Sequence, residues 1–295
     1  MIEKIRLSEN GPEVSRIIQG FGSIMQDDIH SPQELASHLD LCLELGIDTL
    51  DLASVYTGGL AEEALGSVLE SRKELRKRFT IITKYGISGG GPGYHCYDTT
   101  LEGIVASAEK SMRRMRIDAI DLLLMHRPDM LMNADEVALA LDRLRKEGKA
   151  RFFGVSNFTA SQFELLSSRL PFPLVTNEIP YSLINMEYQE NGFLDLCQRL
   201  RFSPLYYSPL GGGKLFDSKN ARLLQALNEL GQKIGGAAAS QVAVAWALMH
   251  PAKGAAVLGT GEAHLLKEAA GGAAIKLSRD QWFYLWTASK GHEIP

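Results

Sequence analysis

Four ionisable side chains stand at or just beyond the ends of short apolar runs: Asp51 in "TLDLA", Tyr56 five residues later in "SVYTGG", Lys84 closing "FTIITK" and His126 closing "AIDLLLMH". A phenol titrates near pH 10 when unperturbed, too high to ionise readily at neutrality. A neighbouring lysine cation lowers that value, and a carboxylate beside the lysine keeps the ammonium charged and fixed. Tyr56 then serves as a general acid in one direction and a base in the other. His126 can donate a hydrogen bond to a carbonyl oxygen, orienting and polarising it. Such a set suits carbonyl/alcohol interconversion, yet it holds no hydride, so the chemistry requires a nicotinamide cofactor. Each residue alone has a plainer explanation: Asp51 as a cap or ion-pair partner, Tyr56 as a packed rim aromatic, His126 as a structural histidine. Lys84 is harder to dismiss, because lysine is rarely buried without a partner. Convergence of all four on one opening favours chemistry.

That convergence needs a scaffold. Apolar runs recur at 17–22, 49–53, 79–84, 119–126, 151–157, 174–179, 203–208 and 254–259, eight strands in all. Amphipathic segments with helix punctuation lie between them. Ser31-Pro32-x-Glu34 forms a capping box with proline at the first helical position, and Thr99-x-x-Glu102 forms another ahead of the apolar face Leu101, Ile104, Val105, Ala108, Met112 and Met115. Asn133 caps a helix that Gly148 stops. Before the first strand, "EKIRLS" and "EVSRII" flank Asn10-Gly11-Pro12, the signature of a hairpin. Eight strands alternating with helices predict an α/β fold, a (β/α)8 TIM barrel over residues 1–295 as one domain. A doubly wound sheet is the alternative. In a barrel the active site lies at the C-terminal mouth of the strands, where the four residues fall.

Composition narrows the function classes. The 295 residues are 45% hydrophobic and 22% charged with net charge −4, the mix of a globular protein. The longest apolar runs fall far short of the ~20 residues a membrane helix needs, and the first residues show no secretory h-region. The basic run "SRKELRKRF" reads as a solvated helix face, so no nucleic-acid partner is expected. Cys42, Cys96 and Cys197 are scattered and odd in number, which suggests neither disulfides nor a metal site and fits a reducing cytoplasm. A metal-dependent hydrolase would want several His/Asp/Glu ligands at strand ends, and His126 lacks an H-x-H partner. The glycine clusters "SGGGPG" (88–93) and "LGGGK" (210–214) match no complete phosphate-loop fingerprint. The second follows the seventh strand, where barrels often hold phosphate.

Taken in order, Asp51-x-x-x-x-Tyr56, the lysine of "TKYG", the histidine of "HRPD", "FFGVSNF" and "YYSPLGGG" resemble the aldo-keto reductases, NADP-dependent (β/α)8 oxidoreductases whose opening hairpin closes the barrel bottom. "HRPD" and "SPLGGGKLF" are most similar to the uncharacterised bacterial oxidoreductase branch of that family. The resemblance implies a catalytic tetrad of Asp51, Tyr56, Lys84 and His126. It implies that Ser156 and Asn157 bind the nicotinamide carboxamide, that Tyr207 stacks on the ring, and that Gly22 and Ser23 line the same pocket. Ser208, Leu210 and Gly212 run along the pyrophosphate, and Thr260 and Glu268 contact the adenosine end. Glu178 stands where the family usually has glutamine against the carboxamide; if ionised, it would favour the cationic oxidised ring. Leu265 stands where an arginine commonly pairs with the 2′-phosphate, leaving Lys267 or His264 as substitutes, a point charge in place of a fork. NADP(H) is therefore the expected cofactor and NAD(H) the alternative. The partner is a small-molecule carbonyl or alcohol, and the chain is expected as a monomer or weak oligomer. Two other readings are an NAD-preferring sugar or alcohol dehydrogenase and a nicotinamide-binding regulatory or redox-sensing subunit with incidental turnover. Specificity is expected from Met25, Arg127, the loop 85–98 with Tyr94, His95 and Tyr97, and the C-terminal "WFYLW".

Overall fold

Strands β1 (Lys4–Arg6) and β2 (Glu13–Ser15) pair antiparallel around a turn in which Gly11 N–H donates to Ser8 O. The turn residues supply the tight reversal that the sequence predicts. The computed structural model describes residues 2–22, 24–89 and 95–294. Eight parallel strands follow the hairpin and close on themselves: β3 (Ile17–Gly20), β4 (Thr49–Asp51), β5 (Thr80–Tyr85), β8 (Ile120–Met125), β9 (Ala150–Ser156), β10 (Asn177–Pro180), β11 (Leu205–Tyr207) and β12 (Ala255–Leu258). β12 pairs with β3, with Val257 opposite Ile18, and this ladder seals the barrel. All eight fall within or against the apolar runs read from the sequence. A further antiparallel pair, β6 (Ile87–Gly89) and β7 (His95–Tyr97), lies in the loop after β5 and had no signal in the sequence pattern.

The hairpin plugs the N-terminal end. Leu7 and Val14 are fully buried among Ile82, Leu122, Val175 and Leu205 from inside the barrel, each contributing roughly 1.5–3 kcal/mol of burial. The Ser15 hydroxyl donates to Ile17 O and accepts from Asp48 N–H, and Leu7 O accepts from Ser203 N–H, so polar groups at this end are tied to the chain.

Helices cover the outside. The helix Pro32–Leu45 starts on Ser31, whose side chain accepts from Glu34 N–H, and stops at left-handed Gly46. Asn133 caps Ala134–Lys146 by accepting from Asp135 and Glu136 N–H. The helix Leu101–Met115 is capped by Thr100, not by Thr99. The Thr99 hydroxyl donates to Asp129 in the loop after β8, so a tertiary contact takes the neighbour that local pattern favours. No helix among the described residues is long and apolar enough to cross a membrane.

Candidate active site

Alternation along the strands brings the ionisable residues together. Side chains two apart share a face, so the buried interior residues Ile82, Leu124 and Leu205 are each followed two residues on, toward the C-terminal mouth, by Lys84, His126 and Tyr207. Asp51 ends β4, Ser156 ends β9, and Glu178 sits in β10. Asp51, Lys84 and Glu178 are buried to within 2% of complete exclusion from solvent.

One lysine gathers the group. Lys84 Nζ lies 2.6 and 2.7 Å from the two carboxylate oxygens of Asp51 and donates to Leu52 O at 3.1 Å. It stands 3.4 Å from Tyr56 Oη and 3.1 Å from Glu178 Oε2. The His126 ring meets the Tyr56 ring edge to face, centroids 5.7 Å apart. Tyr56 opens a sharp turn in which Thr57, Gly58 and Gly59 all have positive φ, 48°, 69° and 101°. Such a turn is strained at the threonine and is pinned from outside. Arg114 donates to Ser54 O at 2.9 Å and Gly58 O at 3.1 Å, and pairs with Glu62, which is wholly buried and accepts from the Thr83 hydroxyl. A Cβ on Gly59 would collide with that guanidinium. This clamp had no signal in the sequence, since it joins residues from two helices and a strand.

Burial sets the charges. His126 is pushed down to about 3 by burial and then by the cations of Lys84 and Arg127, so it is a neutral imidazole able to offer a ring N–H; its Nδ1 has no partner among the described residues. Burial works against the Lys84 charge, but Asp51, Glu178 and Tyr56 hold it firmly above its ordinary value. Burial raises Asp51, with Lys84 opposing. For Tyr56 the outcome corrects the expectation: burial raises the phenol further than Lys84 lowers it, and the two carboxylates add to the rise. In the free protein it is a protonated donor.

A cavity of about 790 Å³ opens above these groups, within the range of ligand sites. Gly22, Ser156, Asn157, Glu178 and Tyr207 line it, as do Ser208, Leu210, Gly212, Thr260 and Glu268. Asn157 (φ 64°) and Ser208 (φ 52°) directly follow β9 and β11 in left-handed backbone, a strain common at functional sites. Asn157 is held by Tyr207 Oη, 2.8 Å from its Oδ1. Gly22, Gly212, Gly213 and Gly259 border the cavity with only open space where a Cβ would stand. Bare backbone, a cavity of this volume and an unpartnered buried Nδ1 on His126 among the described residues fit a large ligand with a polar head, and a nicotinamide dinucleotide answers that description.

Other expected residues fall elsewhere. Lys267 and His264 are exposed and do not line the cavity, whereas Leu265 does. Arg127 is on the wall; Met25 packs against the core. In "WFYLW", Trp282 stacks on Trp246 at 4.8 Å and Tyr284 is exposed; none of the five lines the cavity. Ser23 and Tyr94 lie outside the described residues, as does the His95 side chain. Two lining residues carried no sequence signal: Asp28, whose Oδ2 accepts from Gly261 N–H across the cavity rim at 2.5 Å, and Ser240, which donates to Glu268.

Comparison with known proteins places this geometry. Residues 16–289 match the model of the Aldo/keto reductase family. The chain is 40% identical to a 6-dehydroglucose reductase of Agrobacterium fabrum over 99% of this chain and all of that one. It is 38% identical to the uncharacterized oxidoreductase YcsN of Bacillus subtilis over the full length of both. Among solved structures it is similar to the thermostable aldo-keto reductase Tm1743 in complex with the inhibitor epalrestat, with TM-score 0.83 and 25% identity over 97% of this chain and 100% of that one. On the family match over most of its length and on relatives of this identity and coverage, this chain belongs to the aldo/keto reductase family.

Proposed function

We propose that the chain interconverts an aldehyde or ketone and the corresponding alcohol, with Tyr56 as the proton-transferring group. The observation that carries this reading is Lys84 Nζ set between the Asp51 carboxylate and the Tyr56 hydroxyl at the cavity floor. A bound nicotinamide dinucleotide supplies or accepts the hydride. His126, neutral and edge-on to Tyr56, donates a hydrogen bond to the substrate oxygen and fixes the carbonyl. Tyr56, protonated and beside the Lys84 ammonium, delivers its proton to that oxygen as negative charge develops. Asp51 keeps the lysine in place through both carboxylate oxygens. Ser156, Asn157 and Tyr207 would hold the ring end of the cofactor, and Ser208, Leu210 and Gly212 would take the phosphates. The soluble composition and the unpaired cysteines suit work in the cytoplasm.

Cofactor choice has a second reading with its own observation. The far end of the cavity is lined by Ser240, Thr260, Leu265 and Glu268, with no Lys or Arg among the described lining residues there. A 2′-phosphate would have to draw Lys267 inward, so this lining favours NAD(H) over the NADP(H) that the resemblance implies. The named activity of the Agrobacterium relative makes an oxidised sugar the first substrate to try. The deciding experiment is a panel of aldehydes, ketones and sugar aldehydes, 6-dehydroglucose included, assayed with both cofactors in both directions against Tyr56→Phe. Full activity in that variant would remove the tyrosine from the mechanism.

A further inference from the structure

The floor of the cavity holds two carboxyl groups and one cation to balance them. Asp51 takes Lys84 with both oxygens. Among the described residues Glu178 is left with a single ion pair, its Oε2 3.1 Å from Lys84 Nζ, although the side chain is almost wholly excluded from water. Its carboxyl and that of Asp51 thus meet at one ammonium, Lys84 Nζ lying 2.6 Å from Asp51 Oδ1 and 3.1 Å from Glu178 Oε2. Two like charges sealed together cannot both ionise cheaply, so one proton is shared, and Lys84 assigns the charge to Asp51. Glu178 also lines the cavity beside Ser156 and Tyr207, where the nicotinamide reading puts the ring.

We propose that Glu178 is a proton store coupled to the charge of the cofactor: protonated in the free protein, it releases its proton when the cationic oxidised ring arrives and keeps it when the neutral reduced ring binds. This rests on the reading of the cavity as a nicotinamide site. Electrostatics gives the direction, because a cation in a low-dielectric pocket stabilises the carboxylate beside it. No covalent bond to carbon changes; one O–H proton leaves Glu178 for solvent as the cation enters. The groups facing Glu178 leave it as the one poised to move. Asp51 on β4 is held by Lys84 on β5, which stays charged; Tyr56 after β4 and Tyr207 on β11 are held protonated, chiefly by burial. His126 after β8 is already neutral, at about 3, and Arg127 beside it is a fixed cation. Burial, then the Asp51 charge, places Glu178 at about 8, so the store is loaded at neutral pH.

NAD+ and NADH are the probes, since neither carries a phosphomonoester that titrates near neutrality. Titrating each into the whole protein from pH 6 to 9, with calorimetry in buffers of different ionisation enthalpy, counts the protons. The expected result is release of about one proton with NAD+ at pH 6 to 7, fading as pH passes 8, and none with NADH at any pH. The Kd for NAD+ should fall about tenfold per pH unit between 6 and 8, then level off, while that for NADH stays flat. In Glu178→Gln, a near-isosteric change, the release vanishes and the two pH profiles become parallel. In Tyr56→Phe the release persists. Tight NAD+ binding with no proton released from the unaltered protein, or release that survives Glu178→Gln, overturns the proton store alone. Failure of NAD+, NADH, NADP+ and NADPH all to bind overturns the nicotinamide reading itself.

Discussion

The two ends of the one cavity are built on opposite terms. At the floor, the polar side chains of Asp51, Glu178 and Tyr56 lie within 3.4 Å of Lys84 Nζ, the two carboxylates and the lysine sealed from water and fixed by direct contacts. At the far end, Ser240, Thr260, Leu265 and Glu268 stand on helices and loops, and Leu265 is 40% exposed. Buried charge is expensive unless paired, so the floor is a place where fold stability is given up to hold a reactive arrangement. The far end gives up little and specifies little. The floor should therefore respond to single atoms and to pH, and the far end only to added charge.

Removing one oxygen atom tests the floor most sharply. Tyr56→Phe keeps the ring that packs edge-on against His126 and removes the proton, so kcat should fall by about 10²–10⁴-fold with Tm unchanged. Steady-state kinetics beside a thermal melt separates the two. Lys84→Met should abolish turnover and also destabilise the fold by about 3–5 kcal/mol, because it strands the Asp51 carboxylate in a sealed site. Adding Asp51→Leu should restore most of that stability without restoring activity. A double variant no more stable than Lys84→Met would show that the charges are not what the fold is paying to keep.

A smaller effect appears only as a function of pH. Glu178 is raised to about 8 by burial and by Asp51, above the roughly 4.3 of a free glutamate. Its contribution to stability is whole below that lower value and drains away as pH rises through about 8. Glu178→Gln should thus match the unaltered protein near pH 4 and exceed it by a few kcal/mol at pH 9. His126 runs the other way. Held at about 3, it contributes above the roughly 6.5 of a free imidazole and costs stability as pH falls toward 3. Urea midpoints from pH 4 to 9 for Glu178→Gln and for His126→Asn, each beside the unaltered protein, separate the two slopes.

The contrast also explains what could be read from the chain. Strands such as 119–126 are continuous apolar runs that end in a polar residue, so the barrel and the members Asp51, Lys84 and His126 follow from local pattern. The Asn10-Gly11-Pro12 turn announces the bottom plug in the same way. Contacts that depend on which strand lies next to which are invisible at that level: Glu178 against Lys84, the Arg114 clamp on the Tyr56 turn, and the hydrogen bond that moves a helix cap from Thr99 to Thr100. The direction of the Tyr56 shift was also out of reach, because a lysine beside a phenol argues one way and the burial of both argues the other. Burial is a property of the closed barrel, not of the sequence around "SVYTGG".

At the far end the expected changes are smallest, and they decide which dinucleotide the cavity prefers. Leu265 already faces the cavity, so Leu265→Arg places a guanidinium on the wall rather than on the outer surface, where it offers a bidentate partner to a 2′-phosphate. NADPH affinity should rise about tenfold, the worth of one partly exposed charge-assisted contact, while NADH affinity stays within twofold. Lys267→Ala should leave both unchanged, because that side chain is exposed and outside the lining. Fluorescence titration with the two reduced cofactors reads both variants. A loss of NADPH binding confined to Lys267→Ala would mean that the lysine swings in to meet the phosphate. The far end would then be a charged site assembled by its ligand, and its contrast with the preformed floor would lie in when the charges meet rather than in whether they are present.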